Sequence, residues 1–141
     1  MEKKISKRLL NVIESLRLKP GMRILEIGCG PGAMAREMAN RIENGFVLAI
    51  DRSNAAIRQA KAGSKAQIKA GVLEFRQSKI EEFDLLPNEK RFDLAVAIRV
   101  GALDGRHPDL EKEALRRIRL ALKPKGHLYI DAPGGVREIK F

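Results

Sequence analysis

The chain contains one cysteine, one tyrosine, five phenylalanines and no tryptophan in 141 residues. A lone Cys29 excludes an internal disulfide and any metal site built on several thiolates, so nothing demands an oxidising compartment. Aromatics at 4% leave no platform on which successive bases could stack between basic residues. No apolar run approaches the roughly 20 residues needed to cross a bilayer. The start, Met1 to Arg8, is charged and lacks the uninterrupted apolar stretch of a secretory signal, which predicts a cytoplasmic protein with no membrane partner.

What is present fits a soluble α/β protein. Apolar residues make up 44% and charged residues 33%, and the length suits one domain over 1–141, with an N-terminal helix within 1–19 and a core over 22–131. Lysine and arginine number 28 against 18 acids, a net charge of +10 that could steer the chain toward RNA or another polyanion. The basic residues are spread along the whole sequence, so a nucleic-acid partner rests on net charge alone.

Periodicity alternates between helix and strand. Ile5, Leu9, Val12, Ile13 and Leu16 recur at three- and four-residue steps and predict an amphipathic helix that Pro20-Gly21 ends. Met22 to Ile27 reads as a buried strand, Ala33 to Ile42 as a helix stopped by Asn44-Gly45, and Phe46 to Ile50 as a second strand. Ser53 can cap a helix carrying Ala56, Ile57 and Ala60. Val72 to Phe75 and Phe92 to Ile98 read as the third and fourth strands. A helix from about Asp109 to Leu122 closes at Lys123-Pro124-Lys125-Gly126, and His127 to Ile130 is the fifth strand. Such alternation implies a doubly wound, mostly parallel sheet of about five strands with helices on both faces, and a ligand crevice beyond the strands' carboxyl ends.

One segment carries chemistry. In Leu25-Glu26-Ile27-Gly28-Cys29-Gly30-Pro31-Gly32, three glycines stand directly between a strand and a helix, where they allow a sharp turn and close backbone approach to a ligand. Asp51 closes the next strand, 19 positions after Gly32, where an acid in such folds accepts from ribose hydroxyls. The loop also satisfies the loose G-x-G-x-x-A pattern of dinucleotide binders. A nicotinamide enzyme needs a second mononucleotide half, for which this length leaves little room. Glu26 beside the loop would repel a pyrophosphate but can pair with a cationic amino acid.

These residues, with the Phe92-Asp93-Leu94 strand opening and the Leu122-Lys123-Pro124-Lys125-Gly126 turn, resemble the class I (Rossmann-like) S-adenosylmethionine-dependent methyltransferases over about Met22 to Asp131. The resemblance implies that Gly28, Cys29, Gly30 and Gly32 shape the methionine side of the pocket, and that Glu26 orients the amino group directly or through water. Asp51 would hold the ribose diol, Arg52 would lie beside the adenine, and Ile98 would border the site. Ser78 or Lys79 stands where many relatives place an acid, which leaves the adenine to a backbone contact and to packing on Ile80. The cofactor implied is S-adenosylmethionine, with S-adenosylhomocysteine as product.

Methyl transfer from a sulfonium is an in-line displacement whose main demands are alignment and a dry path. If the acceptor must lose a proton, a base should lie in Arg99 to His107, with Asp104 and His107 as candidates. Arg99 could bind a substrate carboxylate or phosphate, whereas Cys29 lacks an activating partner and His127 reads as structural. Ile98-Arg99-Val100-Gly101 is not the Asn/Asp-Pro-Pro-aromatic tetrad of amino-methyltransferases, so a small-molecule acceptor gains weight. Ala132 to Phe141 reads as too short for the antiparallel hairpin that relatives append, so either the fold is minimal or a second copy or partner subunit completes the sheet edge. In that second case the chain would be a cofactor-binding subunit that needs its partner for chemistry.

Overall fold

A computed structural model describes residues 5–141; Met1 to Lys4, part of the segment read for a leader, lie outside the described residues. The first helix, α1 (Lys7–Leu16), starts where Ser6 Oγ accepts from the Leu9 amide, and stops where Arg17 turns left-handed at φ 52. Its buried stripe is Val12, Ile13 and Leu16. Next come β1 (Arg23–Ile27), α2 (Ala33–Arg41) and β2 (Phe46–Asp51). Ser53 then caps α3 (Asn54–Ala62) by accepting from Ala56 N at 3.1 Å. A short α4 (Lys65–Lys69), unsignalled by any periodicity, leads to β3 (Leu73–Gln77), and a 3₁₀ turn follows at Ile80–Glu82. The remainder is β4 (Phe92–Ala97), α5 (Pro108–Ala121), β5 (Leu122–Ala132) and β6 (Gly135–Ile139).

The six strands form one sheet in the order β3-β2-β1-β4-β5-β6. All pairings are parallel except β5 with β6. After β3 the chain crosses back to the other side of β1, so the winding reverses between β1 and β4 and leaves a crevice at their carboxyl ends. Alternation along each strand divides the core. Ile24, Val47 and Leu94 face α1, α2 and α3, whereas Leu25, Leu48 and Ala95 face α5 and the 3₁₀ turn. The expectation of a doubly wound, mostly parallel sheet with helices on both faces is met.

Two details differ from the expectation. The last ten residues do form a strand: Leu128 pairs with Ile139 and Ala132 with Gly135 across a tight turn, so five residues suffice for an antiparallel β6. Pro133 and Gly134 make the turn, with Gly134 at φ 82. His127 Nδ1 lies 3.1 Å from Glu138 Oε2 across this pair, which gives that histidine its structural role. The fifth strand also begins earlier than His127. Leu122 pairs with Phe92, pairing resumes at His127 opposite Leu94, and Lys123 to Gly126 bulge out between them.

At the sheet end away from the crevice, Asp93 joins three strands: Oδ2 accepts from Arg23 N at 2.8 Å and Oδ1 from Lys123 Nζ at 2.9 Å. The Arg23 guanidinium lies 5.0 Å from the ring centroids of both Phe46 and Phe92. No described helix is long and apolar enough to cross a membrane. Phe92 is fully buried, so Phe92→Ala should cost about 3–5 kcal/mol through lost packing and the cavity left behind. A urea titration that returned less than about 1 kcal/mol would contradict this packing.

Candidate active site

The turn after β1 is held from below by β2. Gly28 N and Cys29 N both donate to Ile50 O, at 2.8 and 3.0 Å. Gly30 N donates to Asp51 Oδ2 at 2.8 Å, while Asp51 Oδ1 accepts from Ser53 N at 2.9 Å. One carboxylate thus fixes the glycine loop and the start of α3 together. Gly28, Gly30 and Gly32 all have positive φ, of 74, 52 and 91, a conformation that other residues enter only under strain. Their surroundings differ. A Cβ on Gly28 would meet Val100 Cγ2 at 2.9 Å and one on Gly32 would meet Phe75 at 2.9 Å, whereas one on Gly30 would meet nothing within 4 Å. The space over Gly30 is open to a ligand.

Sequence reading missed the residue that supports this loop. Arg36 on α2 donates through Nη1 to Pro31 O and to Ser64 Oγ, both at 3.0 Å, and Ser64 is buried. Side chains on Gly32 and Gly63 would come within 3.0 and 3.1 Å of the same nitrogen. An arginine on the polar side of a helix carries no sequence signal for threading between two turns.

A cavity of about 300 Å³ opens beside the loop at the sheet's carboxyl edge, within the range of small-ligand sites. Of the residues picked out from sequence it takes in Gly28, Asp51, Arg52, Ser78, Lys79 and Ile80 at one end, and Arg99 and His107 at the other. Glu26, Cys29, Gly30, Gly32, Ile98 and Asp104 do not line it. Arg106 and Leu110 do, though neither stood out in the sequence. Ser78 gives its amide to Asp51 O and its hydroxyl to Lys79 O, each at 3.0 Å. Ile80 is buried and presents an apolar wall.

Glu26 lies on the sheet face covered by α2 and is only 4% exposed. Its Oε1 has no hydrogen-bond partner among the described residues, an arrangement that is costly unless a ligand completes it. Burial first, and the Asp51 carboxylate second, push its pKa up to about 8, while Arg36 pulls it down. Burial therefore favours the protonated form of this group while nothing pairs with it. Burial, with Glu26 and Asp51 nearby, likewise pushes the Cys29 thiol far up, which removes any nucleophilic role. Asp104 is taken by Arg106, whose Nε lies 2.9 and 3.0 Å from its two oxygens and keeps its pKa below the usual carboxylate range. That makes it a poor base. His107 donates its amide to Gly101 O, and its ring lies so close over Gly101 that a Cβ there would meet Cδ2 at 2.5 Å.

A reversing parallel sheet, a glycine loop pinned to the acid that closes β2, and a crevice at the strands' carboxyl ends define a Rossmann-like fold. The chain belongs to the methyltransferase-domain family, whose model matches residues 18–139. It is 31% identical to nocamycin O-methyltransferase of Saccharothrix syringae over 130 residues, which cover 92% of this chain and 43% of that protein. It is also 31% identical to an O-methyltransferase of Pyrenophora dematioidea over 121 residues, covering 86% and 43%. A methyltransferase from Geobacter sulfurreducens in complex with S-adenosylhomocysteine shares the fold at a TM-score of 0.68 and 20% identity, over 89% of this chain and 47% of that one. The chain spans less than half the length of the curated relatives it matches.

The buried carboxyl has a measurable signature. An ordinary glutamate titrates near 4.5, and Glu26 near 8. Between those values the folded chain keeps a proton that the unfolded chain has lost, so stability is fully present at lower pH and falls as pH rises from about 5 to 8. The loss is on the order of a few kcal/mol. Urea midpoints recorded at both ends of that window should converge in Glu26→Gln, and a slope unchanged by the substitution would contradict the assignment.

Proposed function

We propose that this chain binds S-adenosylmethionine in the crevice over the glycine loop and directs its methyl group to a small-molecule acceptor. The observation that carries the reading is the unpartnered Glu26 Oε1, which a cationic amino group would satisfy while drawing off the proton. Openness over Gly30 agrees with it, because backbone there can approach the amino-acid portion without a side chain intervening. Asp51 would accept from the ribose diol, since each of its oxygens takes one amide hydrogen and keeps a further lone pair. Ile80 offers the apolar surface for an adenine, with Arg52, Ser78 and Lys79 forming the rim.

When bound, the cofactor supplies an electrophilic methyl carbon on a sulfonium sulfur and leaves as S-adenosylhomocysteine. The chain's own contribution is alignment, since the sheet's carboxyl edge sets the two ends of the crevice opposite each other. Val100, Ala102 and Leu110 give the acceptor half apolar walls that help exclude water. With Asp104 engaged by Arg106 and Cys29 held as a thiol, His107 is the remaining candidate for a base, and it lines this half. The O-methyltransferase names of two relatives agree with a small oxygen nucleophile.

Calorimetry with S-adenosylhomocysteine should show one site per chain. Asp51→Ala should weaken binding about tenfold or more through the lost charged hydrogen bonds. Gly30→Val, which places a branched side chain in the open space, should abolish it. No binding heat from the unaltered protein at millimolar ligand would overturn the proposal.

A further inference from the structure

The acceptor half of the crevice has a charge pattern that the cofactor does not explain. The charged residues lining the cavity are Arg52, Lys79, Arg99 and Arg106 against Asp51 and Glu81. A sulfonium donor is itself a cation, and a surplus of cations around it is unfavourable unless something anionic shares the space. Two of the four have protein partners: Lys79 lies 3.7 Å from Glu82, and Arg106 is locked onto Asp104. Arg52 belongs to the end assigned to the adenosine. Arg99 stands at the other end, and its guanidinium has no hydrogen bond or ion pair among the described residues.

Arg99 is also held in an unusual way. It has φ 57, a left-handed conformation uncommon for a residue with a side chain and usually seen where the surroundings enforce it. Its amide donates to Asp131 Oδ1 at 3.1 Å at the tip of β5, and its carbonyl accepts from Arg106 Nη2 at 2.7 Å. Asp131 therefore engages the backbone of Arg99, and Asp104 is consumed in bracing Arg106. Strain and bracing together set a free planar fork at the mouth of the crevice, the geometry that grips a carboxylate or phosphate through paired hydrogen bonds.

We propose that the methyl acceptor is an anionic small molecule whose carboxylate or phosphate is gripped by Arg99, the braced left-handed residue at the tip of β4. The anion is a handle, and no bond to it changes. The inference rests on the cofactor reading above for the identity of the molecule, while the anion subsite stands on the chain's own geometry.

The test is a titration of the full chain, saturated with S-adenosylhomocysteine, with malonate in one arm and inorganic phosphate in the other, followed by backbone amide NMR. Saturable shifts should centre on Arg99, Gly101 and His107, and the tighter arm identifies the handle as carboxylate or phosphate. Arg99→Gln should weaken that binding about tenfold or more. Arg99→Lys should restore part of it, and Lys65→Gln, the same charge change on exposed α4, should leave it within about twofold. Melting curves of each variant verify that it is folded. Shifts spread evenly over the basic surface, or a midpoint indifferent to Arg99→Gln, would overturn the proposal, as would the absence of saturation in both arms. If the unaltered chain fails to bind S-adenosylhomocysteine, the same titration is run on the chain alone. That failure itself refutes the cofactor reading, whereas a surviving anion site would leave the subsite standing and its loss would overturn the subsite too.

Discussion

One carboxylate organises the functional end of this molecule. Asp51 closes β2 and takes the Gly30 amide on one oxygen and the Ser53 amide on the other. Two βα turns that share no covalent neighbour are thereby fixed against each other, with Ile50 O supporting the first of them. The three glycines can hold their left-handed conformations because these bonds, the Arg36 bridge to Pro31 and Ser64, and the close packing at Gly28 and Gly32 leave no alternative path. Remove that anchor and the crevice loses a wall.

The same anchor has an electrostatic consequence. Asp51 contributes to the raised pKa of Glu26, second only to burial, so the residue that positions the loop also helps keep the neighbouring carboxyl protonated in the free chain. A buried acid without a partner is an unstable arrangement by itself, and such groups mark places where binding completes a structure. At the far end of the crevice the logic is reversed: Arg99 presents an unneutralised cation, and the acids near it are spent on backbone and on Arg106. A buried, unpartnered acid under α2 and an unpaired cation beyond the tip of β4 thus stand on opposite sides of the glycine loop's crevice.

The fold was legible because its signals are local. Short β-branched runs bounded by turn residues, a Ser at the start of a helix, and Gly-rich stops each act over a few residues, and β1 to β4 lie within two positions of that reading, whereas β5 starts five positions earlier. The strand that was missed, β6, has mixed polarity and only five residues, and it exists because β5 offers an edge to pair with. α4 is short and carries no buried stripe, so it left no periodic mark.

What the sequence by itself determined is the order of elements, the layered core, and the glycine loop with its acidic partner, since each follows from residue type and spacing along the chain. Tertiary structure alone decided the state of the site's charges. Whether Glu26 is a carboxylate or a protonated acid, whether Asp104 is a base or a brace, and whether Arg99 is free or paired depend on burial and on partners distant in the chain. Asp131 lies 32 residues from Arg99, and Ser64 lies 28 from Arg36. Desolvation and pairing are properties of three-dimensional neighbours, so the chemistry of the crevice becomes readable only once the sheet has brought its strand tips together.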